Sequence, residues 1–284
     1  MELRQKEFDI IMIIGNGFDL NLGLKTAYSD FIDSYFFKSL LTKGNKLCLH
    51  LNGIHSLQKW IDIENEFKEY SRIVESDNDS NFFDEYKELT SSLKQYLNTL
   101  GYENLDKNSR AYKLIAKIKD YRVLIIDFNY TFSVKNICKE LGFELNNTTS
   151  KFECLKIHGS IEENDSIIFG IEDGARIVNK HVFLKKSVNK NFNTTDFSNE
   201  IYNTKNFIVF GHSLGETDHM YFKDYFIKTI SQINNNVKQH VSIHFYGEES
   251  YYDLFAQIDN LTLYNISKLK HNSNFKTIDT KNYG

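Results

Sequence analysis

Four short turns hold the residues of this chain that are equipped for chemistry: Gly15-Asn16-Gly17, Asn129-Tyr130-Thr131, His158-Gly159-Ser160 and Gly211-His212-Ser213. Histidine titrates nearest neutral pH, so His158 is a candidate to take a proton from a hydroxyl group or a water molecule. A histidine at a strand end also serves as a plain hydrogen-bonding group. The amide of Asn129 offers both a donor and an acceptor to a ligand hydroxyl or an attacking water. In the first turn, the backbone N–H groups of Gly15, Asn16, Gly17 and Phe18 open a short helical pattern, where free N–H groups and the helix dipole attract an anion such as a phosphate. A tight turn between strand and helix needs the same glycines without any ligand, and this stretch alone favours neither reading. Asp19 either meets a ligand hydroxyl or caps its helix. Gly211-His212-Ser213-Leu214-Gly215 fits GxSxG, the pattern of a hydrolase nucleophile elbow. Ser213 would be its nucleophile, with Asp253 or Asp259 and then His271 completing a triad in chain order.

The segments around these turns explain why they would share one edge. Residues 10–14 and 122–128 are short, nearly continuous apolar runs, as the strands of a parallel sheet covered on both faces are. Residues 152–157, 166–169, 206–210, 241–246 and 261–264 read as further strands. Helical patterns lie at 18–22, stopped by Gly23, and at 28–41, 133–141, 217–233 and 250–258. This alternation predicts an α/β fold with a Rossmann-like, mostly parallel sheet, and all four turns then fall at the carboxyl ends of strands, the ligand-binding edge of such sheets. The standard dinucleotide fingerprint wants a third glycine where Leu20 stands.

Residues 42–120 differ in character, with amphipathic helices expected at 54–70, 82–100 and 111–119 and no convincing strand. The expected organisation is an α/β nucleotide-binding domain at 1–41 and 121–284 carrying a helical insertion at 42–120. Within the insertion, Trp60, Ile63 and Phe67 form an apolar stripe beside Asp62, Glu64 and Glu66, which reads as core beside a solvated face. Trp60 and Glu64 are its candidates for a lid over a site. Residues 172–203 give helical pieces only, and 267–284 are weakly patterned.

The 284 residues are 41% hydrophobic and 25% charged, a composition that predicts a globular protein rather than a disordered one. A net charge of −4 gives no whole-chain signal for nucleic acid. Cys48, Cys138 and Cys154 are odd in number and widely spaced, which points to a reducing cytoplasm and away from a disulfide framework or a CxxC metal site. Neither a secretory leader nor a membrane span is expected from the apolar runs.

The segments GNGFDLNLGLKTAYSDF, FNYTFS, KIHGS, IIFGIED and IVFGHSLGETD, in this order, resemble the bacteriophage abortive-infection AbiH family over nearly the whole chain. More remotely, their order is similar to the sirtuin-like NAD-consuming fold. There a GAGxS…GIP phosphate loop corresponds to Gly15, Gly17 and Gly23-Leu24. The asparagine loop corresponds to Asn129, the His-Gly turn to His158-Gly159 and the late Gly-x-Ser loop to Gly211 and Ser213. Asp19 replaces the serine of that pattern, Lys25 replaces its proline, and no four-cysteine zinc module is present. These departures weigh against protein deacylation and leave NAD cleavage.

The resemblance implies a cytoplasmic phage-defence protein that cleaves NAD, its substrate, by attack of water on ribose C1, with no metal. His158 and Asn129 would be catalytic, and Gly15, Asn16, Gly17, Phe18, Asp19, Gly211 and Ser213 would hold the nucleotide. The implied partners are a small nucleotide, a phage trigger or partner defence protein, and further copies of the chain; no membrane or nucleic-acid partner is expected. Two other readings stand beside this one. The GxSxG motif would make an esterase, and a site that binds without hydrolysing would make a nucleotide-sensing module.

Overall fold

The structure, a computed structural model, describes residues 7–58, 63–76, 81–147, 149–162, 167–192, 195, 197–232 and 238–281. Trp60 and Asp62 lie outside the described residues.

The chain opens with β1 (Ile10–Ile14), which leads through Gly15 into α1 (Asn16–Asn21). Gly23 stops α1 with φ of 87°, the left-handed conformation that a residue with a Cβ adopts at a cost. The expected helix at 28–41 is two helices, α2 (Tyr28–Asp33) and α3 (Tyr35–Thr42). Ser34 separates them: its hydroxyl donates to Phe31 O at 2.6 Å and accepts from Phe37 N at 3.4 Å, ending one helix and capping the next. Four helices follow, α4 (Lys46–Gln58), α5 (Ile63–Ser76), α6 (Phe82–Asn98) and α7 (Arg110–Ile118).

From here strands and helices alternate: β2 (Val123–Asp127), α8 (Ser133–Glu140), β3 (Phe152–Lys156), α9 (Ser198–Asn203), β4 (Asn206–Phe210), α10 (His219–Ser231), β5 (Gln239–Phe245), α11 (Gly247–Leu261), α12 (Ile266–Asn272) and β6 (Ser273–Asp279). All pairings are parallel, in the order β3-β2-β1-β4-β5-β6. That is the doubly wound Rossmann-like order, with the direction of winding reversing between β1 and β4.

Two expected strands are corrected. Residues 167–169 are buried but pair with no strand, because Ile168 N donates to His158 O at 2.7 Å and the chain goes on to a single bridge between Ile171 and Lys185. Residues 261–264 end α11, where Leu263 and Tyr264 take φ of 50° and 62° and turn the chain sharply. The sixth strand forms instead in the weakly patterned tail, where alternating exposure on an edge strand dilutes the apolar signal.

The two-residue period of a strand sorts the core into two layers. Ile10, Met12 and Ile14 of β1, with Val123 and Ile125 of β2, pack against residues of α1 to α8. Ile11 and Ile13, with Leu124 and Ile126, face Phe197 and Ile201 of the α9 region, Phe222 and Phe226 of α10, and Leu254, Ile258 and Leu269 of α11 and α12. The helices between residues 42 and 120 therefore share the core of one sheet face, with Phe67 of α5 meeting Phe169 at a ring separation of 5.0 Å. Glu85 of α6 accepts from Lys46 N and Leu47 N, each at 3.3 Å, and so caps α4 from a neighbouring helix. Among the described residues no helix is long and apolar enough to cross a membrane, and the three cysteines are free thiols.

His244, at the carboxyl end of β5, stacks on Phe210 at 4.8 Å. Burial, with Arg110 adding to it, pushes its pKa down to about 3, so it folds neutral. The unfolded chain takes up a proton at this side chain below about pH 6.5, so its share of stability is lost as pH falls from there towards 3, at about 1.4 kcal/mol per pH unit. In urea unfolding at pH 7.5, 6 and 5, His244→Gln is expected to gain on the wild type by about that amount between pH 6 and 5. A constant difference between the two proteins would show that this group is not linked to folding.

Candidate active site

Strand register sets the site. Ile14, Asp127, Lys156 and Phe210 lie side by side across β1, β2, β3 and β4. Two residues further along each strand stand Asn16, Asn129, His158 and His212, on chains that leave the sheet about 4.8 Å apart. The four turns that the sequence pattern placed at strand ends therefore meet on one edge. The tight hydrogen bonds beneath them show what fixes each side chain.

The glycine turn is packed against the last of the four. Gly15 N donates to Phe210 O at 3.1 Å, Gly17 N to Gly211 O at 2.9 Å and Phe18 N to Gly15 O at 2.9 Å. A Cβ on Gly15 would lie 2.8 Å from Gly211 O and His212 Cα, and one on Gly17 would lie 2.6 Å from Gly211 Cα. The two chains thus touch backbone to backbone at the point where the winding reverses, and glycine is the residue that permits it. Of the N–H groups expected to cradle a pyrophosphate, those of Gly15, Gly17 and Phe18 donate inside the protein. Asn16 is exposed on the rim of the turn and Ser213 is exposed beside it.

Asp19 is also placed differently from expectation. It is fully buried, one oxygen accepting from Thr131 Oγ1 and the other from Ser133 Oγ, each at 2.6 Å. Burial and the neighbouring Asp127 push its pKa up to about 6 against those hydrogen bonds. It ties α1 to the loop after β2, neither meeting solvent nor capping its helix. On the other side of that loop, Lys156 Nζ reaches Asp127 Oδ2 at 2.5 Å and Asn129 O at 3.1 Å, and it also donates to Thr131 O. This buried network fixes the path of residues 127–133, and with it the position of Asn129.

Asn129 is almost fully buried, with Nδ2 donating to Gly15 O at 3.1 Å. Its Oδ1 accepts from no described residue, so the acceptor half of the amide is the half available to a ligand. His158, one strand over, packs edge-on to Phe128 at 5.4 Å, and its ring nitrogens are hydrogen-bonded to no described residue. Burial first, then the Lys186 charge, pushes its pKa down to about 3, against the pull of Asp218. The imidazole is therefore neutral at physiological pH and holds a free lone pair.

His212 completes a tilted stack on Phe128 at 4.3 Å and lies 3.3 Å from Asp218 Oδ2 through its Nε2. Around these two histidines the fold adds charged groups that sequence reading missed. Lys186 pairs with Glu64 of α5 at 2.6 Å, and Lys68 of α5 pairs with Glu172 at 3.1 Å. Burial pushes the Glu64 carboxyl above its usual range although Lys186 opposes it. Glu64, expected as a lid candidate, thus stands at the site, and α5 is pinned over it by two ion pairs. Lys186 gave no signal because it lies in 172–203, a segment without periodicity, and Glu172, within IIFGIED, was given no role there. Asp218 was within reach of sequence reading, six residues after His212 in the GHSLGETD stretch.

A family model for bacteriophage abortive infection AbiH matches residues 11–243. This chain belongs to the AbiH family. The match runs from β1 into β5 and includes every turn of the site. A comparison with the curated proteins found no match. Family membership carries a role in defence against phage for this AbiH protein.

The triad reading of GHSLG does not survive the geometry. His271 closes α12 immediately before β6, at the amino edge of the parallel sheet, whereas Ser213 follows β4 at the carboxyl edge. A seven-residue strand such as β6 puts the two edges about 20 Å apart. Nor is Ser213 at the strained tip that an elbow requires: the left-handed residues are Gly211 (φ 61°) and Leu214 (φ 53°), and a 3-10 turn at Glu216–Asp218 intervenes before α10. Among the described residues, no group of three or more His, Cys, Asp or Glu side chains could hold a metal ion.

Proposed function

We propose that this AbiH protein defends against phage by cleaving NAD between nicotinamide and ribose, with water as the attacking group. The observation that carries the reading is the neutral imidazole of His158, hydrogen-bonded to no described residue, at the carboxyl edge of a Rossmann-order sheet, beside the carbonyl of Asn129 and the contacting pair His212–Asp218. Cleavage of this bond passes through an oxocarbenium-like state and needs little help for the leaving group, since nicotinamide departs neutral. It does need a water aimed at C1 and a base to take its proton. Asn129 Oδ1 accepts a hydrogen bond from the water or a ribose hydroxyl, and His158 takes the proton. The exposed Asn16 and Ser213 lie along the rim beside Gly211, where the adenosine half of the ligand is assigned.

Incubation of the purified protein with NAD, ATP and ADP-ribose, followed by chromatography, tests the reading: nicotinamide and ADP-ribose are expected from NAD. Intact nucleotides throughout would count against it, and a nucleotide recovered bound and unhydrolysed would favour a sensing module. Ser213→Ala is expected to weaken NAD binding about two- to tenfold, the size of one neutral hydrogen bond of 0.5–1.5 kcal/mol, and to leave measurable turnover. A fluorophosphonate probe is expected not to label the wild type. Covalent labelling at Ser213 would restore the esterase.

A further inference from the structure

His212 and His158 are the same residue type on neighbouring turns, yet their surroundings differ in kind. Leu214 N donates to His212 Nδ1 at 3.0 Å, so Nδ1 is an acceptor and carries no proton in the neutral ring. The proton of neutral His212 therefore sits on Nε2, which faces Asp218 Oδ2 at 3.3 Å. Both nitrogens are engaged, and the ring itself is buried against Phe128 at 4.3 Å and Phe222 at 5.8 Å. Such a ring cannot shuttle a proton without breaking one of two contacts. It can hold a carboxylate in place.

Asp218 is the group held. It sits at the end of the 3-10 turn that precedes α10, half-buried, with a face towards His158 and Lys186. Burial alone would push its carboxyl up, but the His212 hydrogen bond and the nearby positive charge outweigh it and keep Asp218 below the usual carboxylate range. Glu64, paired with Lys186, lies within electrostatic reach of Asp218, and Glu172, paired with Lys68, lies within reach of Glu64.

We propose that Asp218 is the second catalytic residue of this site, a fixed carboxylate that offsets the positive charge developing on ribose C1 and its ring oxygen, and that His212 is a positioning residue that aims it. This rests on the reading of the site as an NAD-cleaving centre. In the step, the C1–N bond breaks and its electron pair leaves on nicotinamide, whose ring nitrogen loses its positive charge. The water oxygen then bonds to C1, and its proton passes to His158 and on to solvent. Asp218 ends the cycle unchanged, as an electrostatic stabiliser does.

Two measurements test the proposal. In nitrogen-resolved NMR at pH 8, His212 is expected as the Nε2–H tautomer, and in Asp218→Asn the Nε2 proton signal should shift while Nδ1 remains an acceptor. In steady-state kinetics, Asp218→Asn should lower kcat for nicotinamide release about 10²- to 10³-fold with KM changed by less than about threefold, since the charge matters only as the bond breaks. His212→Gln retains an N–H donor and should keep at least tenfold more activity than His212→Ala. In His212→Ala the acid limb of the kcat profile should move to higher pH, because Asp218 loses the bond that favours its charged form. Full activity in Asp218→Asn, or an Nδ1–H tautomer of His212, would overturn the inference while leaving NAD cleavage standing. A wild type that releases no nicotinamide would instead overturn the NAD reading, and Asp218's part in this reaction with it.

Discussion

His158→Ala is expected to lower nicotinamide release by about 10²- to 10⁴-fold, the span that a positioned general base contributes. Among the described residues neither ring nitrogen has a partner, so removing the side chain breaks no hydrogen bond within them. What it loses is an edge contact with Phe128 at 5.4 Å. The melting temperature should accordingly stay within a few degrees of the wild type, because a partly exposed side chain outside the core costs about 1 kcal/mol or less. His158→Gln separates basicity from hydrogen bonding: a glutamine fills the space and accepts a hydrogen bond, yet takes no proton, and it should be nearly as inactive as alanine. The imidazole's pKa of about 3 in the free protein predicts that its protonation does not limit the rate between pH 5 and 8. A bound pyrophosphate would raise that value by bringing negative charge close to the ring. Wild-type turnover in the alanine variant would remove His158 from the mechanism.

The second large effect concerns stability rather than turnover. Gly211→Ala would place a Cβ 2.4 Å from both Cα and C of Gly17, in a backbone with φ of 61°. Overpacking of this kind costs about 1–3 kcal/mol and the left-handed backbone about 1 more. For a chain of this length that is a fall of roughly 5–15 °C in melting temperature, or loss of folded protein. Gly15→Val and Gly17→Val should fail in the same way, since each meets backbone atoms of the Gly211 turn that have no room to move. Gly23 is the control. Its φ is 87° but nothing lies within 4 Å of an added Cβ, so Gly23→Ala should cost only about 1 kcal/mol. A folded Gly15→Val protein with wild-type stability and no nucleotide affinity would show that the turn serves a phosphate first and packing second.

The glycine turn illustrates how a motif can be read correctly in place and differently in purpose. Its position after a buried strand follows from local chemistry: an apolar run too short for a helix, broken by residues that tolerate a sharp turn. What the glycines touch depends on β4, almost two hundred residues later, and a single-sequence reading has no term for that contact. Asp19 is a parallel case. Nothing in its neighbours along the chain announces Thr131 and Ser133, and a fully buried carboxylate looks, from sequence, like one more polar residue in the first turn of a helix.

By itself, the sequence determined the alternation of strands and helices, the place of the four turns at strand ends, and the candidacy of Asn129 and His158. Each of these rests on local periodicity or on the chemistry of a residue type. The tertiary structure decided the rest. Strand order and register brought Asn16, Asn129, His158 and His212 into one row, because pairing across a sheet joins residues that are distant along the chain. It supplied Lys186 from a segment that carries no motif and paired it with Glu64, and among the described residues it left one histidine without a hydrogen-bond partner while engaging both nitrogens of the other. Whether an imidazole is a base or a brace depends on its two hydrogen-bond partners, and those are fixed only when the chain has folded around it.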